Sequence, residues 1–295
     1  MYDIEKYYQA NSIADAIRAL EEDPEAIVIS GGSDVLVQIR EGRLAGCGLV
    51  SIHGIPELEG IGMEGDGTIV IRPATTFSHI TNHPLIQQHI PILGNAVDQV
   101  GSPQVRNTGT IGGNVCNGVT SADSASSLFA LNAVLELTGS SGSRRVPIEE
   151  FYIGAGKTVR EHAELLTAIR IDRENYDGWY GHYIKYGKRN AMEIATLGCA
   201  VLVKLTEDRK HLADVRIAYG VAGPVPMRCH KTEETVRGRA LDGTLTETLG
   251  KGVLEEVHPR SSWRASKEFR LQLVEELVKR AFTQATAFGG GEIHA

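Results

Sequence analysis

The sequence predicts a protein of two domains that mix α-helices with β-strands. Its 295 residues are 42% hydrophobic, enough for a substantial core, and domains usually span about 100–200 residues. Some segments place apolar residues at helical spacing, and others are short continuous apolar runs beside glycine-rich turns. We therefore expect helices and small sheets along the whole chain.

Residues 1–55 predict a small lobe around a glycine-rich turn. Ser12 is a suitable N-cap for an amphipathic helix in SIADAIRALEED. The run EAIVIS predicts a buried strand, and the turn SGGSD at 30–34 follows it at once. DVLVQIREGR predicts a short helix or strand, and LVSI predicts a second strand.

Residues 56–175 predict a second lobe. IPELEGIGMEGDGTIVIR is typical of a β-hairpin, and one or two helices broken at Pro84 and Pro91 follow it. A second glycine-rich loop, NTGTIGGNVCNG at 107–118, precedes a helix in SADSASSLFALNA. A hairpin in VLELTGSSGSRRVPI and a strand in LLTAIRI complete the lobe.

The pattern changes near residue 176, where we place the domain boundary. Residues 176–285 predict several strands followed, from Thr232 onward, by two charged helices. The segment PRSSWRASKEFRLQLVEELVKRAF predicts a loop and a helix with three side chains facing inward: Trp263, Phe269 and Leu273. Because Trp and Arg are common interface anchors, this segment is either a partner surface or ordinary domain packing. Residues 286–295 are expected to form a flexible tail.

The composition argues against several classes of protein. A net charge of −7 without a Lys/Arg run disfavours nucleic acid as a partner. No apolar run approaches the roughly 20 residues of a membrane helix, and the N-terminus does not resemble a secretory signal, so we expect a cytoplasmic protein. Four separated cysteines and the context of the histidines predict no metal or iron–sulfur site on this chain.

Two further glycine patterns have weaker contexts. GIGMEG at 60–65 fits a dinucleotide fingerprint but lies in the predicted hairpin, without the required strand before it and helix after it. GAGKT resembles the end of a P-loop, although Phe151 stands where the first glycine belongs. A phosphotransferase that uses Gly156, Lys157 and Thr158 stays an alternative.

The turn SGGSD and the loop NTGTIGGNVCNG are more informative. Glycines directly after a buried strand let several backbone N–H groups converge on an anion, although a tight turn is an equal alternative. The second loop carries so many polar groups that they either satisfy one another or line a wet pocket. We expect both turns, from separate lobes, to present amide hydrogens to one polar ligand.

Three segments in order carry a family resemblance: AIVISGGSDVLVQI, GSPQVRNTGTIGGNVCNGVTSADSA and RSSWRASKEFR. They resemble the FAD-binding medium subunit of xanthine dehydrogenase-type molybdenum hydroxylases. The resemblance implies an α+β fold, with a two-lobed FAD-binding domain of the vanillyl-alcohol-oxidase-like (PCMH) type at 1–175. A C-terminal α+β domain of the CO dehydrogenase flavoprotein type follows at 176–285.

The resemblance also implies a cofactor site. Ala26 to Asp34 would wrap the diphosphate, with the Asp34 carboxylate turned away from it or accepting a hydroxyl. Gly109 to Asn114 would approach from the other lobe. The implied cofactor-binding residues are Ile27, Val28, Ile29, Ser30, Gly31, Gly32, Ser33, Asp34, Gly109, Thr110, Ile111, Gly112, Gly113, Asn114, Asn117, Asp123, Leu165 and Lys185.

Four of these residues have implied roles of their own. Asn117 and Asp123 would bond the ribityl and ribose side, although Asp123 is equally suited to cap a helix. Leu165 would pack on the adenine or the flavin, with ordinary core packing as the alternative. Lys185 would stabilise the reduced anionic ring, unless it lies on the surface.

The implied function is electron transfer, with the chemistry on the flavin and no catalytic side chain. In the family, electrons pass from a molybdenum centre through two [2Fe–2S] clusters to FAD, which gives hydride to NAD⁺. The molybdopterin and the clusters would lie on a large and a small partner subunit. The motifs favour xanthine dehydrogenase in purine metabolism, and a self-contained flavin oxidase of similar fold is the other alternative.

Overall fold

The computed structural model describes residues 2–294, which form three β-sheets, a small β-hairpin and a set of helices. The strands are β1 (Ile4–Gln9), β2 (Ile27–Ile29), β3 (Cys47–Ser51), β4 (Ile61–Met63), β5 (Ile69–Ile71), β6 (Val134–Gly139), β7 (Gly142–Pro147), β8 (Tyr152–Gly154), β9 (Lys157–Thr158), β10 (Leu165–Ile171), β11 (Tyr180–Tyr186), β12 (Leu197–Leu205), β13 (Leu212–Gly220) and β14 (Met227–Arg228). The α-helices are α1 (Ile13–Glu22), α2 (Val35–Arg40), α3 (Phe77–Asn82), α4 (Pro84–His89), α5 (Pro91–Val97), α6 (Pro103–Thr108), α7 (Ile111–Cys116), α8 (Asp123–Ala130), α9 (Ile148–Phe151), α10 (His230–Val236), α11 (Gly243–Leu254) and α12 (Lys267–Phe288).

The first lobe is a three-stranded parallel sheet in the order β1-β3-β2. The predicted N-cap is confirmed, because the Ser12 hydroxyl accepts a hydrogen bond from the amide of Asp15 at the start of α1. That helix buries Ala16, Ile17 and Leu20, as its apolar spacing predicts. The segment DVLVQIREGR, for which the sequence predicted either a helix or a strand, contains the helix α2.

The second lobe is a five-stranded sheet in the order β4-β5-β10-β6-β7. Both predicted hairpins are present, as the antiparallel pairs β4/β5 and β6/β7, and β10 lies between them. Three helices replace the one or two that were expected, since Pro84 and Pro91 each begin a new helix. The fully buried helix α8 packs against α5 and against β12 and β13 of the C-terminal domain.

The second glycine-rich segment differs from the expected loop, because part of it is the helix α7. The hydroxyl of Thr110 caps this helix by accepting a hydrogen bond from the amide of Gly113 at 3.3 Å. Ile111 and Val115 bury their side chains in the core of the lobe. The cap and this burial outweigh the low helix propensity of two glycines.

The C-terminal domain is an antiparallel sheet in the order β11-β12-β13-β14, with three helices rather than the two expected. Helices α10 and α12 pack against the sheet, and α11 packs against these two helices. Leu273 is buried as predicted, but Trp263 is 78% and Phe269 39% exposed. Trp263 precedes α12, whose N-cap is Ser266, so it lies in a loop and on no helix face. The expectation that all three side chains face inward is wrong for these two.

The expectation of a flexible tail is wrong for residues 286–294, which are attached to the C-terminal domain, and residue 295 lies outside the described residues. Helix α12 continues to Phe288, well into the predicted tail. After the turn, the amide of His294 donates to the carbonyl of Leu241 at 3.1 Å, and its carbonyl accepts from Gly243 at 2.9 Å. In the described part of the chain, every helix is too short or too polar to cross a bilayer.

Candidate functional site

A cavity of about 540 Å³ lies between the two N-terminal lobes. The stretch from Pro24 to Gln38, at the end of β2 and the start of α2, provides most of one wall. The opposite wall comes from the start of α7 and from β10, which carries Leu165. The cavity therefore lies where both predicted glycine-rich segments are found.

The two segments meet through their backbones at Gly31. A Cβ atom on Gly31 would lie 1.9 Å from the carbonyl oxygen of Thr108 and 3.1 Å from the Cα of Gly109. Real Cβ atoms do not approach other atoms this closely, so only glycine allows this contact. The absence of a side chain at position 31 thus sets how closely the lobes approach beside the cavity.

The first segment presents unpaired hydrogen-bond donors. Among the described residues, the backbone amides of Gly31, Gly32, Ser33 and Asp34 have no protein acceptor. The buried hydroxyl of Ser30 also has no partner. A buried hydroxyl such as that of Ser30 is normally paired, and a run of free backbone amides beside it can bind an anion. This donor set fits a ligand with a negatively charged centre such as a diphosphate.

The second segment does not supply such a row of donors, contrary to expectation. The amide of Ile111 donates to the carbonyl of Thr75 at 3.1 Å, and that of Gly112 to the carbonyl of Pro73 at 2.8 Å. A Cβ on Gly112 would lie 2.4 Å from the Cβ of Pro73, so glycine is required there for packing. This segment therefore contributes wall surface and polar side chains to the cavity.

Thirteen of the eighteen predicted site residues line the cavity. They are Ile27, Val28, Ser30, Gly31, Gly32, Ser33, Asp34, Thr110, Gly112, Gly113, Asn114, Asn117 and Leu165. Ile29 and Ile111 instead turn their side chains into the cores of their lobes, and Gly109 packs under Phe77. The Asp34 carboxylate accepts a hydrogen bond from Gln38 of α2. Asp34 thus has a protein partner for its charge.

Asp123 and Lys185 form a buried ion pair outside the cavity lining. The Lys185 Nζ lies 2.7 Å from Oδ2 of Asp123, and the Tyr183 hydroxyl donates to Oδ1 at 2.9 Å. Lys185 also donates to the carbonyl of Gln99 at 2.8 Å, next to Val100 of the cavity wall. Its side chain is 9% exposed, so the surface alternative for Lys185 is wrong.

This pair joins α8 of the second lobe to β11 of the C-terminal domain. Burial raises the pKa of Asp123, while Lys185 and Tyr183 act in the opposite direction through charge and hydrogen bonding. Asp123 is the first residue of α8, and the N-cap position belongs to Ala122. Asp123 therefore does not cap α8, and the capping alternative is wrong.

The sequence did not indicate a polar rim on the β10 side of the cavity. Arg144 holds Glu164 through two hydrogen bonds of 2.7 and 2.8 Å, which lowers the pKa of Glu164. The His162 Nε2 lies 3.0 Å from the carbonyl of Leu20 and 3.1 Å from that of Asp23. Since carbonyls only accept, this nitrogen carries a proton and joins the two lobes. No motif marks these residues, because their partners are distant in sequence.

A thiol also reaches the cavity. Cys116, at the end of α7, is one of the lining residues, and burial raises its pKa to about 11. It is therefore a neutral, weakly reactive group at physiological pH. Cys116 adds apolar surface to the wall rather than a nucleophile.

The structure contradicts the P-loop alternative. Strands β8 and β9 form a small antiparallel hairpin, and Gly156 lies in its turn with a positive φ of 72°. In the described chain, no helix begins after Thr158 before the strand β10. A P-loop needs such a helix, with its N-terminus facing the phosphates.

Two family models match the chain. Residues 2–173 match the FAD binding domain in molybdopterin dehydrogenase, and residues 182–285 match the CO dehydrogenase flavoprotein C-terminal domain. Residues 174–181 lie between the two matches. The first of them alone spans more than half of the chain.

Similar proteins include subunits of several hydroxylases. A putative xanthine dehydrogenase FAD-binding subunit of Escherichia coli is 40% identical over 293 residues, which cover 99% of this chain and 100% of the relative. The carbon monoxide dehydrogenase medium chain of Hydrogenophaga pseudoflava is 28% identical, with 96% and 97% covered. A crystal structure of that organism's carbon monoxide dehydrogenase superposes with a TM-score of 0.92 at 27% identity, over 97% of this chain and 99% of the other.

Proposed function

This chain belongs to the family of FAD-binding subunits of molybdenum hydroxylases, and from that membership we propose that it serves a xanthine dehydrogenase that reduces NAD⁺. As a member of the family, the protein is an FAD-binding oxidoreductase subunit. The substrate, the electron acceptor and the role of each site residue are our proposal.

The row of unpaired donors from Ser30 to Asp34 is the observation that carries the proposed site. A dinucleotide cofactor has its negative charge in the middle, at the diphosphate, and the two aromatic ends need less polar surroundings. Leu165 and Val28 supply apolar wall beside the donors. The cavity thus combines an anion-binding centre with apolar flanks.

FAD, when bound, would supply the redox chemistry of the subunit. The chain's own residues position and enclose it. The amides of Gly31 to Asp34 bind the diphosphate, and the side chains of Asn114 and Asn117 offer hydrogen bonds from the opposite wall. Leu165 and the neighbouring apolar residues exclude water from the ring systems.

Lys185 contributes an electrostatic field rather than a free charge. Because its ammonium is paired with Asp123 at 2.7 Å, a group in the cavity experiences a dipole whose positive end lies at Gln99, beside the cavity wall. Such a dipole stabilises added negative charge less than an unpaired lysine would. We propose that Lys185 positions the wall and tunes the flavin potential modestly.

The choice of xanthine dehydrogenase is supported by two relatives from Escherichia coli strains, each 40% identical over 99% of this chain. One is described as a putative xanthine dehydrogenase FAD-binding subunit and the other as a xanthine dehydrogenase FAD-binding subunit. Relatives described as acting on carbon monoxide, nicotinate or nicotine are 28–30% identical. The organic substrate would bind on a molybdenum-binding large subunit, and electrons would arrive through an iron–sulfur small subunit.

The other functions lack a supporting observation. The self-contained oxidase would need no partner, whereas the relatives are described as subunits or medium chains. The phosphotransferase lacks its helix, as described above. The expected cytoplasmic location stays a prediction.

The test uses the complex isolated through a tag on this chain. We expect a visible flavin spectrum with one FAD per chain, and reduction of NAD⁺ when xanthine is added. Ser30→Ala should weaken FAD binding about 10-fold, because one hydrogen bond to a charged group is lost. A complex that contains no flavin would refute the cofactor site, and one that oxidises xanthine without reducing NAD⁺ would refute the proposed acceptor.

A further inference from the structure

The C-terminal domain has a second pocket, of about 470 Å³, whose lining residues are all different from those of the FAD cavity. Two loops form it, one between β11 and β12 and the other before α12. We call it the tryptophan surface, and its residues are Lys188, Arg189, Met192, Ile194, Trp263 and Arg264. Glu193 lines the same pocket.

The tryptophan surface exposes large apolar side chains together. Trp263 is 78%, Met192 62% and Ile194 51% exposed. Scattered apolar residues are common on protein surfaces, whereas exposed apolar side chains gathered around one pocket are typical of interaction sites. Tryptophan in particular is enriched among the residues that dominate binding energy at protein interfaces.

The exposed charge of this surface is positive, although the chain as a whole carries −7. The Arg264 Cζ lies 4.4 Å and the Lys188 Nζ 5.6 Å from the centre of the Trp263 ring. Among the described residues that line the pocket, one carries a carboxylate, namely Glu193. It accepts a hydrogen bond from the amide of Arg189 at 2.7 Å, and backbone hydrogen bonds lower its pKa. The surface therefore complements negative charge.

A buried arginine fixes the loop that carries Trp263. Arg270 of α12 is 2% exposed and donates to the carbonyl of Arg260, to the Ser262 hydroxyl at 2.8 Å and to the carbonyl of Thr196 at 3.3 Å. Thr196 ends the other loop of the pocket. One side chain thus ties both loops together, and such preorganisation reduces the entropy cost of binding.

We propose that the tryptophan surface docks an acidic segment with an apolar side chain on another subunit of the hydroxylase complex. The inference rests on the proposed function, which requires partner subunits. Two symmetric copies of this chain would bring the same cations face to face, which disfavours a self-pairing surface. The breadth of the apolar cluster favours a protein segment over a nucleotide.

The experiment expresses the tagged chain together with its partner subunits and measures molybdenum, iron and FAD per eluted chain. We expect Trp263→Ala and the double variant Lys188→Glu, Arg264→Glu to weaken assembly at least about 30-fold. Molybdenum and iron should then fall while FAD and the unfolding temperature stay at wild-type values. Trp263→Phe should retain assembly.

Two variants on α12 serve as controls. Phe288→Ala removes another exposed apolar side chain, and Arg280→Glu reverses another exposed charge. Wild-type metal content in the tryptophan-surface variants, or equal losses in the controls, would overturn the inference. Variants of the tryptophan surface that keep both metals but lose self-association, or lose nucleotide binding, would also overturn the inference.

The result for the wild-type chain distinguishes failure of the proposed function from failure of the docking surface. FAD without molybdenum and iron would refute the proposed partners and the docking surface together. Both metals in the wild-type complex and in all variants would refute the surface alone. Loss of FAD from the wild-type chain would refute the proposed cofactor site.

Discussion

Replacing Gly31 with alanine tests how the two lobes meet beside the FAD cavity. The new Cβ would lie 1.9 Å from the Thr108 carbonyl oxygen, whereas ordinary contacts begin at 3.4 Å. Either the carbonyl or the amide row must therefore move by about 1.5 Å. Because the obstructing atom is backbone, no side-chain rotation can relieve the contact.

The displacement has two expected effects. Overpacking of this kind costs about 1–3 kcal/mol in the free energy of unfolding. A shift of the amide row that breaks one hydrogen bond to the diphosphate costs about 1.5–3 kcal/mol, which weakens FAD binding about 10- to 100-fold. Flavin fluorescence quenching measures the affinity, and urea unfolding of the FAD-free protein measures the stability.

Gly62→Ala is the matched control. Gly62 lies in β4, and a Cβ there would meet no atom within 4 Å. We expect wild-type FAD affinity and nearly unchanged stability for this variant. If Gly31→Ala bound FAD within twofold of the wild type and unfolded at the same urea concentration, the argument for a backbone contact between the lobes would be refuted.

Three further predictions concern ionisable groups. Lys185→Met leaves the buried Asp123 carboxylate without its cation, with the Tyr183 hydroxyl as its remaining partner, and should cost about 3–5 kcal/mol in the free energy of unfolding at pH 7. Because burial already raises the pKa of Asp123, this loss should shrink as the pH falls toward about 4, and urea unfolding at pH 5 and 8 checks it. Arg144→Met should lower the free energy of unfolding by about 1 kcal/mol above pH 4.5, because Glu164 loses its cation. The difference from the wild type should vanish as the pH falls through the lowered pKa of Glu164, and a difference that does not depend on pH would contradict this. Because burial raises the pKa of Cys116 to about 11, its thiol should react slowly with iodoacetamide at pH 7, and still more slowly with FAD present. Mass spectrometry of labelled peptides measures the rate. Labelling as fast as that of free cysteine would exclude a buried thiol.

Local signals predicted much of the fold. The Ser12 cap, the two hairpins and the turn after β2 depend on residues within a few positions of one another. The prolines at 84 and 91 also acted locally, as helix starts. These features follow from propensity and spacing, which a single sequence contains.

The misjudged features depend on distant contacts. The second glycine segment folds as α7 because Ile111 and Val115 are buried in a core assembled from the whole lobe. Trp263 was expected inside because it is apolar, but its loop is set by the buried Arg270 from the next helix. Composition alone does not reveal either arrangement.

The site shows the same division. The predicted donors from Ser30 to Asp34 lie on the cavity, because a strand followed by glycines fixes their geometry locally. The pairing of Asp123 with Lys185 spans 62 positions of sequence, and the link from His162 to Leu20 spans 142. Neither pairing leaves a spacing pattern in the sequence.

The order in which the cavity walls occur along the chain has a consequence for biosynthesis. The amide row is complete once Asp34 has left the ribosome, but Leu165 and Leu166 of the facing wall are translated more than a hundred residues later. At about 5–20 residues per second, about 7–26 seconds separate the two events. We therefore expect a nascent chain to bind FAD only after the second lobe has been translated, because the first lobe alone supplies only one of the two cavity walls.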